Sequence, residues 1–422
     1  MENMDNTQNP KKPNMKWMRI TGTVFIAVCI LLAGFGGGLY YQTYQNRNKD
    51  TVTVSQVDKS EVELFNQALT TIQKNYVDQS AVNTQNLTYA AISGMVNSLG
   101  DTDHTVFLTP ADVQQENQAI AGKYEGIGAE IQTKNGTVVN TAPFDDSPAQ
   151  KAGLQPGDII LKVNGTAVTN AQDASNLVKG PAGTSVTLTI QNTAGTISDV
   201  TIVRAQITVN PVSWQMLPGT TIADLRISSF SDGTSKALDT ALAAIKAQGA
   251  TAIVLDLRNN PGGLLSEAIG VASRFLTGGS VLEEKDINGN IKQDVVLSNV
   301  TKTNLPMVVL VNGGTASAAE IVSGALQDRG RAKLIGQTTF GTGTALVGFP
   351  LADGSQIQLA VVEWLTPSGK SIWHTGLTPD DTVALATNVD PLIPDAINGM
   401  TAAQLQASGD AQLLDAINML QQ

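Results

Sequence analysis

The segment Asn312-Gly313-Gly314-Thr315-Ala316-Ser317-Ala318-Ala319-Glu320 sets a serine between an apolar run, Met307 to Val311, and a stretch of helical spacing, Ile321 to Gln327. The run predicts a buried strand and the spacing predicts a helix. A serine on a glycine-rich turn from strand to helix is exposed, and the amides beside it point toward the positive end of the helix. Such a turn can hold a nucleophile and an oxyanion site together. A second segment, Asp256-Leu257-Arg258-Asn259-Asn260-Pro261-Gly262-Gly263, closes another apolar strand with two glycines. Backbone N–H groups left uncovered there suit an oxyanion. Read alone it is a tight turn; beside the Ser317 turn it makes a second wall of one site.

The elements that must position these turns alternate. From Ser213 onward, strands at Ile222 to Ile227, Ala252 to Leu257 and Met307 to Val311 interleave with helices at Ser235 to Gln248, Leu265 to Leu276 and Ala319 to Gln327. That order predicts a layered α/β domain. Thr344 to Phe349 and Ile357 to Leu365, joined through Asp353-Gly354-Ser355, predict a hairpin. A helix is expected at Ala411 to Leu420. Upstream, Glu61 to Tyr76 and Tyr89 to Leu99 have helical spacing, and Gly100 to Pro110 is a turn-rich connection.

Between these regions lies a compact module, with strands expected at Gly128 to Gln132, Thr137 to Asn140, Asp158 to Val163, Val186 to Gln191 and Asp199 to Arg204, and short helices at Ser147 to Ala152 and Ala171 to Leu177. Its segment Ser147-Pro148-Ala149-Gln150-Lys151-Ala152-Gly153-Leu154-Gln155-Pro156-Gly157-Asp158, continuing Ile159-Ile160-Leu161-Lys162-Val163-Asn164-Gly165, resembles the signature of PDZ domains. PDZ domains bind a peptide's carboxy terminus as an added strand, with backbone amides holding the carboxylate. The matching loop contains Gly126, Ile127 and Gly128, whose glycines permit close backbone approach. Lys123 and Arg204 are expected to add positive charge. A simple structural turn is the plainer reading of this loop.

Taken together, Arg258 to Gly263, Thr315 to Glu320, Gln327-Asp328-Arg329-Gly330-Arg331-Ala332 and Thr366-Pro367-Ser368-Gly369-Lys370-Ser371-Ile372 resemble the motifs of the C-terminal processing peptidases, tail-specific serine proteases with an inserted PDZ domain. The resemblance runs from about Val57 to Leu420. It implies a hydrolase in which Ser317 is the nucleophile and the amides of Ala318 and Gly262 or Gly263 form the oxyanion hole. It also implies a lysine base with a glutamine four residues later. Here Thr339-Phe340-Gly341-Thr342-Gly343 puts Thr342 at the lysine position, and Leu346 stands at the glutamine position. Threonine offers no proton acceptor of useful pKa, and a serine hydroxyl is a poor nucleophile without a base. His374, on the loop that follows the hairpin, is the candidate replacement, with Glu363 orienting its imidazole in a serine–histidine–acid arrangement. The plainer reading has His374 capping a turn and Glu363 satisfied within a strand. His104, in Asp101-Thr102-Asp103-His104-Thr105, reads as structural, and neither Lys333 nor Lys370 is persuasive as a base. The rival to an active peptidase is a catalytically inactive pseudopeptidase that serves as a PDZ peptide-binding scaffold.

Composition narrows the remaining classes. The chain has 422 residues and a net charge of -11, which argues against a nucleic-acid binder. One cysteine, Cys29, and two histidines exclude a disulfide within the chain and a cysteine- or histidine-built metal site. No metal or organic cofactor is implied. The uncharged apolar segment from Ile20 to Tyr41 is long enough to span a bilayer, and Lys11, Lys12, Lys16 and Arg19 precede it. The positive-inside bias keeps the amino terminus in the cytoplasm and exports the rest; if the segment is instead a cleaved signal, the protein is secreted. The resulting expectation is an α/β peptidase core of layered sheet and helices with an N-terminal helical region, an inserted PDZ domain and one transmembrane helix. Its parts are a cytoplasmic tail (1–19), a transmembrane anchor (20–41), a linker (42–55), a helical region (56–117), a PDZ domain (118–207) and a peptidase core (208–422). Expected partners are the cell membrane and protein or peptide substrates with accessible carboxy termini. The oligomeric state is open, a homo-oligomer being compatible with the chain.

Overall fold

A computed structural model describes residues 59–101, 105–134, 137–143, 147–155, 157–208, 210–386 and 389–422. The expected anchor at 20–41, Cys29, the linker at 42–55 and His104 lie outside the described residues. Among the described residues, no helix is long and apolar enough to cross a membrane. The chain divides into two units, one ending at Thr88 and one spanning Tyr89–Gln422. In the first, helix Lys59–Asn75 leads to a short 3-10 turn, Gln79–Ala81, whose entry is capped by the Asp78 carboxylate accepting from the Ser80 amide at 3.0 Å.

The second unit is built on a six-stranded sheet. Its strand order is Val212–Met216, Ile222–Ile227, Ala252–Asp256, Met307–Val311, Lys333–Gly336, Asp381–Thr382. The first pair is antiparallel and the others are parallel. Parallel strands need cover on both faces, so the central ones are apolar throughout rather than alternating. Successive side chains still point to opposite faces. Ile253, Leu255, Val309 and Val311 join one core with Leu238, Val271, Phe275, Val322 and Leu326 of helices Thr234–Ala247, Leu265–Phe275 and Ala318–Asp328. Val254, Val308 and Leu310 join the other, with Ile397, Leu405, Leu413 and Ile417 from the carboxy-terminal helices. The expected α/β layering is therefore present, and both serine-site turns leave the sheet from adjacent parallel strands.

A second, five-stranded sheet runs Val106–Leu108, Gln356–Leu365, Ser280–Lys285, Ile291–Val295, with Thr344–Pro350 also pairing along Gln356–Leu365. The expected hairpin is there. The connection Gly100 to Pro110 differs from expectation in holding the Val106–Leu108 strand, which gains edge pairing across more than 240 residues of sequence, Val106 opposite Gln358. The strand pair Ser280–Lys285 and Ile291–Val295 was likewise not expected.

The inserted module is an antiparallel sheet ordered Ala129–Lys134, Thr137–Pro143, Ile159–Val163, Ser185–Gln191, Ile197–Val203, with helices Pro148–Lys151 and Ala171–Val178. Ile127, Val138, Leu154, Val163, Leu188 and Ile202 form its own core. A two-stranded ribbon, Lys123–Gly126 with Ala205–Thr208, carries the chain in and out. Asn170 caps the Ala171–Val178 helix by accepting from the Asp173 amide.

Candidate active site

The Met307–Val311 strand is wholly buried and ends in a turn that its own side chains tie down. Thr315 Oγ1 accepts from the Asn312 amide at 3.0 Å and donates to the Leu257 carbonyl at 2.8 Å. Asn312 reaches across to the neighbouring turn, where its Oδ1 accepts the Asn259 amide and its Nδ2 donates to Asn259 Oδ1. The Ala316 amide donates to the Asn260 carbonyl. The two walls expected from sequence are thus laced into one structure by short polar residues.

Ser317 sits at the entrance of the Ala318–Asp328 helix with φ 51 and ψ −118. A non-glycine residue there stores backbone strain, which the surroundings must over-determine. The surroundings do so through Glu320, one turn into the helix and fully buried. Its Oε2 accepts the Ser317 amide at 3.0 Å and the Thr342 amide at 3.0 Å. Its Oε1 accepts Thr339 Oγ1 at 2.5 Å and the Gly341 amide at 2.7 Å. One carboxylate therefore joins the serine turn to the Thr339–Gly343 segment. Sequence reading cited Glu320 only as part of a motif; the helix-start spacing of Ser317 and Glu320 was the available signal for this role.

The glycine wall presses directly on the serine. A Cβ added to Gly262, at φ +98, would lie 2.6 Å from Ser317 Cβ and 2.9 Å from the Ala318 amide nitrogen, so only glycine fits. The Gly262 amide donates to Asn260 Oδ1 at 2.9 Å, and the Gly262 carbonyl accepts from the Phe230 amide. Gly263, at φ +138, backs onto the Phe230 carbonyl.

Thr342 is buried, and its hydroxyl accepts the Ser317 amide at 3.1 Å. The glycines that flank it meet the loop holding His374. The Gly341 carbonyl accepts the His374 amide at 2.9 Å, and a Cβ on Gly343 would lie 2.4 Å from Trp373 Cα. Two hydrogen bonds and the Gly341–Thr342 peptide thus link the Ser317 and His374 backbones. His374 has φ 57, half of its side chain is exposed, and its ring stacks on Trp373 with centroids 5.0 Å apart. The carboxylate facing His374 Nε2 is Asp101, at 3.7 Å. Glu363 is turned toward Lys285 Nζ at 3.0 Å, and its pKa lies below the ordinary value through the Ser371 hydroxyl and then Lys285. Leu346, at the expected glutamine position, is exposed.

Behind the glycine wall lies a charge cluster that sequence reading did not single out. Arg258, fully buried, donates to both oxygens of Asp256 and of Asp410, and to Gln412 Oε1. Burial works to raise the Asp256 pKa, but the Arg258 charge overrides it and holds that carboxyl below the ordinary value. Asp224, on the neighbouring strand, is also fully buried, and neither of its oxygens has a hydrogen-bond partner. Burial, and then the Asp256 charge, push its pKa well above the ordinary value. Folded chains therefore keep a proton on Asp224 at a pH where unfolded chains have released it. Stability falls as pH rises above about 4 on this account, while the Asp256 contribution runs the other way and is lost as pH falls. Asp224→Asn removes the first effect. Urea unfolding at about pH 5 and about pH 8 should show the stability difference from wild type moving in the mutant's favour at the higher pH. An identical difference at both values would refute proton uptake by Asp224.

In the inserted module, Gly126, Ile127 and Gly128 form the turn from the ribbon into the Ala129–Lys134 strand, which is the free edge of its sheet. Gly128 has φ +72, and a Cβ there would lie 2.5 Å from Ser147 Cβ. Lys123 is exposed at the start of the ribbon. Arg204 is buried and engaged inside the domain, donating to the Val178, Leu177 and Ser185 carbonyls and to Thr184 Oγ1. Its guanidinium caps the Ala171–Val178 helix rather than extending toward the loop.

A parallel sheet covered by helices on both faces, a strained serine at a strand-to-helix turn and a PDZ module placed ahead of them define a PDZ-bearing serine peptidase. The chain belongs to peptidase family S41: residues 221–383 match the model of that family and residues 141–192 match the PDZ domain model. It is 35% identical over 322 residues to the carboxy-terminal processing protease CtpA of Bacillus subtilis (strain 168), covering 76% of this chain and 68% of that protein. It is 33% identical over 392 residues to a Staphylococcus epidermidis protein described as a CtpA-like serine protease, covering 90% of this chain and 77% of that one. A solved structure of a candidate S41 protease from Bacteroides fragilis shares the fold, with a TM-score of 0.52 at 19% identity over 84% of this chain and 97% of that one.

Proposed function

We propose that this protein is a membrane-anchored endopeptidase acting outside the cytoplasm, with the 20–41 segment as its anchor. The PDZ module takes the carboxy terminus of a protein or peptide as a strand added to the Ala129–Lys134 edge, with the Gly126–Gly128 turn at its carboxylate. Ser317 then attacks a peptide carbonyl of that chain. His374 takes the Ser317 proton and passes it to the leaving amine, and water later hydrolyses the acyl-enzyme. The Gly262 amide is engaged by Asn260, so the oxyanion donors in this reading are Ala318 and Gly263. The observation that carries the proposal is the strained Ser317 backbone, held against the Gly262 wall by Glu320 and Thr342.

One observation favours the second reading, a pseudopeptidase that only binds peptides. Thr342 stands where the motif resemblance implies a lysine, and its hydroxyl accepts the Ser317 amide. Turnover of a peptide with a free carboxy terminus, and labelling by a fluorophosphonate, separate the two. The peptidase labels and turns over, and Ser317→Ala abolishes both. His374→Ala lowers kcat by about 10²- to 10⁴-fold, and wild-type activity declines toward low pH, where imidazolium cannot accept a proton. Full activity in His374→Ala would show that the base lies elsewhere. Peptide binding without labelling or turnover in the wild type would establish the pseudopeptidase.

A further inference from the structure

We propose that Asp101 is the carboxylate that orients the His374 imidazole, a positioning residue supplied by the segment ahead of the PDZ domain. The inference rests on His374 being the general base. Three observations converge on it. First, Asp101 is largely buried and lies 3.7 Å from His374 Nε2 through its Oδ1. Second, its own position is fixed. Thr105 Oγ1 donates to Asp101 Oδ2 at 2.7 Å, and Thr105 is pinned in turn by the Ala360 amide of the hairpin at 3.1 Å. Third, the side chain next to His374 reports to the same oxygen. Trp373 Nε1 donates to Asp101 Oδ1 at 3.2 Å while the Trp373 ring stacks on the imidazole at an interplanar angle of 23°.

Among the described residues, two further carboxylates of this region, Glu363 and Glu320, are committed elsewhere. Glu363 faces Lys285 and Ser371, and Glu320 is filled by four donors. At 3.7 Å, beyond hydrogen-bond reach, the carboxylate acts on Nε2 as a charge: it favours the proton there, leaves the Nδ1 lone pair as the acceptor and steadies the imidazolium that forms. The φ of 57 at His374 fits a residue held for its side chain's direction rather than for backbone comfort. Bringing this acid from Asp101 and the base from His374 closes the site with parts 273 residues apart in the chain, the Asp101-side strand Val106–Leu108 being hydrogen-bonded to the Gln356–Leu365 strand.

The test compares wild type with Asp101→Asn, Asp101→Ser, Asp101→Glu and Glu363→Gln in the full chain, following kcat, KM, the pH profile of kcat/KM and the rate of fluorophosphonate labelling. Removing the charge with Asn or Ser is expected to lower kcat by roughly 10²-fold, with KM within about threefold, and to move the low-pH limb of kcat/KM toward lower pH. A fold defect alone would not move that limb, and either charge-removing variant suffices if the other does not fold. Asp101→Glu, which restores the charge, returns the limb toward its wild-type position. Unchanged kcat and pH profile in both charge-removing variants, or a limb shift in Glu363→Gln that they lack, overturns the assignment of Asp101 while leaving His374 as base. A fully active His374→Ala overturns the reading beneath it instead.

Discussion

Arg258→Leu is expected to lower stability by about 3–5 kcal/mol, read as a fall in the urea midpoint at unchanged slope. The guanidinium is enclosed by Asp256 at 2.8 Å and Asp410 at 2.9 Å, all three side chains having no solvent exposure. Removing the cation strands Asp410 and leaves Asp256 only the longer contact to Arg226 at 3.4 Å, beside Asp224, whose pKa burial and then the Asp256 charge already push well above the ordinary value. Leucine can fill volume but cannot answer either charge, and the penalty is that of uncompensated burial rather than of a lost attraction. Activity should fall further than stability. Arg258 immediately precedes Asn259 and Asn260, which hold the serine turn through the Asn312 side chain and the Ala316 amide. A loss below about 1 kcal/mol would mean that water or a shifted lysine or arginine replaces the guanidinium, and the cluster would then be a packing feature only.

Glu320→Gln is expected to reduce kcat by about 10²- to 10³-fold while KM changes little. The carboxylate offers acceptors only, and all four of its contacts come from donors, two on each oxygen. A carboxamide replaces one oxygen by an NH2 group. In either orientation that group meets two donors, so at least one amide pair is lost, and a buried donor left unpaired costs about 1–3 kcal/mol. If the NH2 turns toward Oε2's partners, Ser317 and Thr342 separate; if toward Oε1's, the Thr339–Gly343 segment lifts and carries the His374 contact at Gly341 with it. Steady-state kinetics on a protein shown to be folded by its unfolding curve provides the check. Wild-type kcat in the variant would show that the Ser317 conformation is held without this carboxylate.

Much of this arrangement was legible in the chain because its signals are local. The apolar runs at Ala252 to Leu257 and Met307 to Val311 gave the parallel strands, and the glycine turns after them gave both walls of the site. The PDZ insertion followed from one continuous stretch of residues. The pair Ser280–Lys285 and Ile291–Val295 was readable but not read: Asn288-Gly289 lies between them, and Asp286 Oδ1 accepts the Asn288 and Asn290 amides in the turn. Other features had no local signature. Arg204 looked like a cation beside a glycine loop, yet the Leu177 and Val178 carbonyls at a helix end and the Ser185 carbonyl of the next strand claim it, partners 19 to 27 residues away that no local pattern reports. Asp101 and Trp373 are 272 residues apart in sequence. Only the pairing of the Val106–Leu108 strand with the hairpin brings that acid to the loop, and a three-residue strand carries too little periodicity to be read in advance.

The contact between Arg258 and Asp410 also has a meaning in time. Asp410 is the cap of the Ala411–Gln421 helix, accepting from the Leu413 amide, and Gln412 on the same helix touches the guanidinium as well. During synthesis the serine turn, the glycine wall and the PDZ module all emerge before residues 410–412 do. Until then Arg258 has half of its anions missing, and the wall beside Ser317 lacks its backing. A nascent chain therefore carries the serine turn with its backing unfinished until the Ala411–Gln421 helix docks against the sheet.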